Sequence, residues 1–182
     1  MKINLKSLIA VLLLLTAGIA YASSMTVESD KQEFKDNDRK IYLEGNVKVK
    51  SNDVNVTSPR AVVEIDSKNN KVNNVQFKEN AYSYQIKDGK KHEVKAQILE
   101  MSLLNNILKA EGNTISSITE NNRPVVIVTA DRQEYHKVTN TMKAYGSVNI
   151  VYNDIKTFSN EAIVDLTKNN DVKQIQLIGN AK

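Results

Sequence analysis

The chain has 182 residues, 25% of them charged, with 25 lysines and arginines against 21 acidic residues and a formal net charge of +4. A balance this even demands no nucleic-acid partner, and the lack of cysteine excludes disulfides, thiolate catalysis, cysteine metal ligands and a lipidated cysteine. The fold must therefore stand without covalent staples, which a single domain of this length can do by burying roughly two-thirds of its surface.

At the N-terminus Lys2 and Lys6, half of the net positive charge, precede an apolar run from Leu8 to Ile19. The run ends in Ala20-Tyr21-Ala22, the small-x-small pattern that signal peptidase reads. It is shorter than the ~20 residues a spanning helix needs. Residues 1–22 thus read as a cleavable secretory signal and 23–182 as the mature chain.

Beyond the signal, apolar residues alternate with polar ones almost throughout. Ile41, Leu43, Val47 and Val49 share one parity with Gly45, and Tyr42, Glu44, Asn46 and Lys48 take the other. The same period of two runs through Val54/Val56, Ala61/Val63/Ile65, Val75/Phe77, Tyr82/Tyr84/Ile86, Val94/Ala96/Ile98, Met142/Ala144/Val148/Ile150, Ala162/Val164/Leu166 and Ile175/Leu177. A period of two with Val and Ile dominant is the mark of half-buried strands. The polar stretches between them, such as 35–40, 51–53, 67–70, 87–91, 120–123, 152–154 and 168–171, read as hairpin tips. Pro59 and Pro124 are expected at or near strand starts, where a missing N–H does least harm. Ile98 to Leu108 has helical amphipathicity as well, but it aligns with segments that have no helical stripe, so it reads as strand, turn, strand.

That alignment comes from an internal repeat. The segment from Val27 to Val49 returns at Val128 to Ile150, with Asp30/Asp131, Gln32/Gln133, Glu33/Glu134, Gly45/Gly146 and Val47/Val148 in common. The match extends over 27–81 and 128–181, and a weaker copy lies at 94–112. Gly45, Gly112 and Gly146 recur in register, with Gly179 in a similar setting, and are expected to bend each turn of the sheet. The residues alone point to an all-β fold of many short antiparallel strands in one domain.

Catalytic constellations are hard to find. No G-x-S-x-G, P-loop, H-E-x-x-H or G-x-G-x-x-G occurs. His92 and His136 sit among polar residues and read as surface histidines. Glu33 and Glu134 are repeat-equivalent and are expected on an outward face rather than as an acid/base pair. Asp36-Asn37-Asp38 has Ile41 where a calcium loop needs glycine, and the basic stretch Lys87, Lys90, Lys91 and His92 reads as solvated surface. Neither a cofactor nor a metal site is expected. What remains is the aliphatic face, which suits self-packing and acyl chains equally well.

The signal segment, V-E-S-D-K-Q at Val27 to Gln32, Leu43-Glu44-Gly45-Asn46-Val47 and the following segment at Ala61 closely resemble the periplasmic lipopolysaccharide-transport bridge proteins of the LptA/OstA-like family, over essentially Met25 to Lys182. The resemblance implies a twisted antiparallel β-jelly roll, built from repeated strand units with an internal apolar groove, that holds lipopolysaccharide acyl chains in the periplasm. Each sheltered CH₂ is worth about 0.8 kcal/mol relative to water. By position, the family's lipid contacts fall on Met25, Val27, Tyr82, Tyr84, Met101 and Leu103. Alternation adds Leu43, Val49, Val63, Ile86, Ile98, Val148 and Val164.

The implied partners are lipopolysaccharide and the inner-membrane-anchored and outer-membrane jelly-roll components of the bridge. Edge strands at 25–29 and 172–178 would stack copies head to tail by strand addition. Three rivals stand beside this reading: a structural or adhesive exported β-repeat protein with a closed core, an exported carbohydrate-active enzyme using Glu33 and Glu134, and the membrane-anchored sister component of the same system.

Overall fold

The computed structural model describes residues 26–51, 54–87, 89–169 and 171–181. They form one antiparallel sheet of eleven strands: β1 (Thr26–Glu28), β2 (Lys31–Lys35), β3 (Lys40–Ser51), β4 (Val54–Ile65), β5 (Val72–Lys87), β6 (Lys90–Ser102), β7 (Ile107–Glu120), β8 (Arg123–His136), β9 (Thr141–Tyr152), β10 (Ile155–Leu166) and β11 (Val172–Ile178). From β3 onward each strand pairs with its neighbours in sequence, and β1 and β2 lie end to end along the outer side of β3. The sheet does not close, so β1 and β2 form one edge and β11 the other. Ile98 to Leu108 is strand, turn, strand, as the repeat required.

A single sheet normally leaves both faces wet. Here Val47, Phe77, Leu99 and Ala144 are 0% exposed, although the described residues contain no second layer to cover them. The sheet must therefore fold over onto its own inner face, and the ladder shows where. Register shifts fall in a line across the strands, between Glu44/Val47, Thr57/Arg60, Lys78/Ala81, Lys95/Ile98, Glu111/Thr114, Thr129/Arg132 and Ser159/Glu161. This crease divides every long strand into two halves. Halves bearing the tips at 36–39, 66–71, 103–106, 137–140 and 167–171 make wall A; halves bearing the other tips make wall B.

The chemistry of the crease explains why it forms there. On alternate strands two successive residues hold positive φ: Gly45-Asn46, Glu79-Asn80, Gly112-Asn113 and Gly146-Ser147. Polar side chains of flanking segments lie over three of these pairs, Asp30 at Gly45, Gln97 at Gly112 and Asp131 at Gly146. Asn46 donates to Asp30 Oδ2 at 3.0 Å and Gln97 Nε2 donates to Asn80 Oδ1 at 2.9 Å. At Gly146 a Cβ would lie 2.2 Å from Asp131 Oδ2, so glycine is required by contact as well as by its φ of +74°. Pro59 sits inside β4, not at its start, and falls within the register shift between Thr57 and Arg60, where the ladder is already broken.

Tips differ between the walls. Wall B turns at Asn121-Asn122 and Asn153-Asp154, each with both φ positive, the backbone that two-residue hairpins prefer. Wall A uses longer turns, three of which end on a single left-handed residue, Arg39, Asn106 or Asn140.

Candidate functional site

The interior between the walls is the apolar region of the molecule, and its lining follows from the ladder. Two buried apolar clusters fill it. One runs from Ile41 to Ala110, with Leu43, Val49, Val63, Phe77 and Leu99; the other runs from Ile118 to Val164, with Val128, Val148 and Ile150. Near the crease the walls converge, and wall B's inner row there is built of small residues: Ser58, Ala81, Ala96, Thr114 and Ala130 are all buried. Among the described residues no charged side chain is buried.

Between the clusters lies a polar tie that the sequence reading missed. Gln133, 3% exposed on wall A, donates from Nε2 to Thr114 Oγ1 at 2.8 Å and to the Val128 carbonyl at 3.1 Å. Its Oε1 accepts from Ser116 Oγ at 2.5 Å, and Thr114 Oγ1 donates to the Ala130 carbonyl at 2.8 Å. All four partners of this network lie on wall B, so Gln133 binds one wall to the other across the crease. The Gln32/Gln133 repeat was visible in the sequence, but nothing in it showed that Gln133 faces a threonine and a serine across the fold.

The expected lipid-contacting residues separate into three groups. Leu43, Val49 and Val63 are buried in the N-terminal cluster, and Val148 and Val164 in the C-terminal one; Val27 and Met101 are half-buried against the first. Met25 lies outside the described residues. The remaining five are not inside. Tyr82, Tyr84 and Ile86 face outward because the inner parity of β5 belongs to Ala81 and Ser83, both buried, and Ile86 is 64% exposed. A tyrosine would not fit where the walls converge, whereas alanine and serine do. Ile98 also faces outward, paired with Lys78 and Glu111, because the register shift between Lys95 and Ile98 hands the interior to Leu99. Leu103 lies in the turn after β6, exposed, with its N–H donating to the Asn73 carbonyl at 2.9 Å.

On the outer face of wall B, Tyr82 and Tyr84 stack with centroids 5.8 Å apart, and Lys95 and Lys91 lie over their rings. Burial and then the hydrogen bond to Glu93 push the Tyr82 hydroxyl up. Lys91, and then Tyr82, hold the Glu93 carboxyl down. The contacts of Tyr82 with Lys95 and Glu93, and of Tyr84 with Lys91, join β5 to β6 and stabilise the sheet from outside.

His92, expected at the surface, is half-buried. It pairs in register with Gln85 and Ile118, the latter buried in the C-terminal cluster, so it shares the inner parity, and its Nε2 is buried without a hydrogen-bond partner. Burial, then the charges of Lys90 and Lys87, hold its pKa below the ordinary value. His136 shares the outward parity and lies 3.6 Å from Glu134. Glu33 and Glu134 occupy one outward row, on β2 and β8, with five strands between them. Six strand spacings of about 4.8 Å put them about 29 Å apart along the sheet, far beyond the reach of any two-carboxylate mechanism. No group of three or more potential metal-ligating side chains occurs among the described residues.

Comparison with known proteins agrees with this architecture. The solved structure of LptH from Pseudomonas aeruginosa, described as the LptA-homologous periplasmic component of the lipopolysaccharide transport device, superposes with a TM-score of 0.58 at 13% identity, covering 69% of this chain and 84% of that one. At such identity the likeness speaks for the fold, a twisted antiparallel β-jelly roll. No curated protein sequence matches the chain. The profile of the family described as LptA/(LptD N-terminal domain) LPS transport protein matches residues 26–125, more than half the sequence. The chain is thus a member of the LptA/LptD N-terminal-domain family of lipopolysaccharide transport proteins.

Proposed function

We propose that the protein is a periplasmic carrier that shelters the acyl chains of lipopolysaccharide between its two walls and hands them along a head-to-tail protein bridge from inner to outer membrane. The observation that carries this reading is an aliphatic inner face, free of buried charge among the described residues, enclosed by a sheet with open edges. In the closed arrangement the inner side chains pack against each other, so carriage requires the walls to part along the crease. The sugar and phosphate groups stay in water, and the acyl chains replace the wall-to-wall contacts.

The edges supply the bridge. β1 (Thr26–Glu28) and β11 (Val172–Ile178) lie at opposite ends of the sheet and offer unpaired backbone groups for strand addition between copies, or to inner-membrane-anchored and outer-membrane jelly-roll partners. The half of β10 from Ile155 to Ser159 has no partner on its outer side among the described residues, and it presents exposed Ile155 and Phe158. Export and a periplasmic location rest on residues 1–22, which lie outside the described ones, as does the choice between a cleaved carrier and a membrane-anchored sister component.

The rival reading is a closed structural β-repeat, favoured by the full burial of Phe77, Leu99 and Val148. A photoreactive amino acid at Met101, half-buried on the inner face, and at Glu33, outward on β2, separates the two. After irradiation of intact cells, lipopolysaccharide adducts at Met101 and none at Glu33 support carriage. A folded, exported protein with no adduct at Met101 leaves the closed core.

A further inference from the structure

Among the described residues the two walls share no hydrogen-bonded ladder, so what keeps them together there away from the crease is side-chain contact. Deep inside, the Gln133 tie does this. At the mouth the structure shows a second device, made of residues far apart in sequence. Lys90, at the wall B tip between β5 and β6, pairs with Asp171, at the wall A tip between β10 and β11. Lys87 Nζ donates to the Lys168 carbonyl at 3.4 Å across the same gap. The other ion pairs among the described residues join positions on one wall or across the crease between adjacent strands, as Lys40–Glu64 and Arg60–Glu79 do. Lys90–Asp171 alone among them bridges tips that no strand pairing connects.

We propose that the opening between these two tips is a lateral gate through which acyl chains enter and leave the interior, latched by Lys90–Asp171 and by Lys87 on the Lys168 carbonyl. The proposal rests on the carriage reading and specifies where the cargo crosses. Three features fit a gate rather than a fixed strut. The latch is charged and partly exposed, with the Lys90 and Asp171 side chains 13% and 55% accessible, so water and salt compete with it. Opposite it, the crease is a line of left-handed residues that can serve as a hinge. Moreover, the cargo can work the latch itself. A phosphate-bearing head group arriving at the mouth offers Lys87 and Lys90 a doubly charged acceptor in place of one carboxylate and one carbonyl, which frees Asp171 as the tails reach the aliphatic face.

The test exploits the absence of cysteine. Cysteines at Arg123 on a wall B tip and Val138 on a wall A tip carry spin labels, and the inter-wall distance distribution is measured for the otherwise native chain, for Asp171→Lys and for the charge swap Lys90→Asp/Asp171→Lys. Uptake of a pyrene-labelled fatty acid is followed in parallel. The gate predicts a longer, broader distribution in Asp171→Lys and uptake about two- to fivefold faster, the change a surface pair of this exposure supports. It also predicts restoration of both by the swap, and faster uptake by the native chain in 1 M salt. Unchanged distances in Asp171→Lys, or a swap that fails to restore them, overturn the latch alone. Longer distances with no uptake overturn the gate and the carriage reading together, because the walls have then parted without admitting a chain.

Discussion

Replacing Gly146 by alanine tests the account of the crease quantitatively. Two costs are expected. Alanine at a φ of +74° is in the left-handed region, which costs an L-residue about 1–2 kcal/mol. The added Cβ would also lie 2.2 Å from Asp131 Oδ2 and 2.9 Å from its Cγ, so the carboxylate must swing away from the crease, at a further cost of about 1 kcal/mol. Gly89 provides the control, since its φ is +75° but nothing lies within 4 Å of its Cβ position, leaving only the backbone cost. In thermal melts followed by far-ultraviolet circular dichroism, where each kcal/mol moves Tm by about 2–4 °C in a domain of this size, Gly146→Ala should melt several degrees below Gly89→Ala. Adding Asp131→Ala should bring Gly146→Ala back toward the Gly89→Ala value. Equal melting of the two single variants, or no coupling with Asp131→Ala, would refute the close-approach argument and leave φ as the sole reason for glycine.

Adjacent residues on opposite faces give a second prediction: Leu99→Ala should cost about 3–5 kcal/mol by leaving a cavity in the N-terminal cluster, whereas Ile98→Ala, on the outer face, should cost less than about 1 kcal/mol. Urea unfolding of the pair checks this, and similar costs would mean that the parity after the crease is misassigned. Gln133→Leu should destabilise by about 1–3 kcal/mol because the Ser116 hydroxyl and the Val128 carbonyl each lose a buried partner, and Ser116→Ala in the same chain should recover part of the loss. His92 sets a pH dependence. Its folded pKa is lowered by burial and then by Lys90 and Lys87, so the unfolded chain takes up the proton first. Stability should therefore fall as pH drops through the unfolded value near 6.5. His92→Gln should flatten that slope between pH 7.5 and 5.5 in urea titrations.

Much of the fold was legible because strands write a period of two into the sequence and hairpin tips write Asn, Asp and Gly. The repeat settled Ile98 to Leu108 as strand, turn, strand where periodicity alone was ambiguous, and it marked the glycines that crease the sheet. The interior was less legible, for two physical reasons. First, the ladder slips at the crease, so parity read along one half of a strand does not carry over to the other; Ile98 and Leu99 show the reversal. Second, where the walls converge the inside is lined by alanine, serine and threonine, so the bulky set Tyr82, Tyr84 and Ile86 drew attention to the wrong face of β5. The polar neighbours Lys90 and Lys91 mask the inward parity of His92, which pairs with buried Ile118. Contacts such as Gln133 to Thr114 and Lys90 to Asp171 arise only when the sheet folds over, and no local pattern announces them.

The order of strands in the sheet bears on how such a chain reaches its native state. From β3 onward, every strand pairs only with those just before and after it, so almost all backbone pairing is between segments adjacent in sequence. Loop closure is therefore cheap at each step, and low contact order favours rapid folding. A chain of this kind can assemble progressively as it emerges from a narrow channel N-terminus first, each new strand docking on the growing edge without waiting for the C-terminus. The same arrangement means that register is inherited: an error at one hairpin would displace every later strand. The left-handed pairs at the crease, repeated on alternate strands, check that register anew at each hairpin.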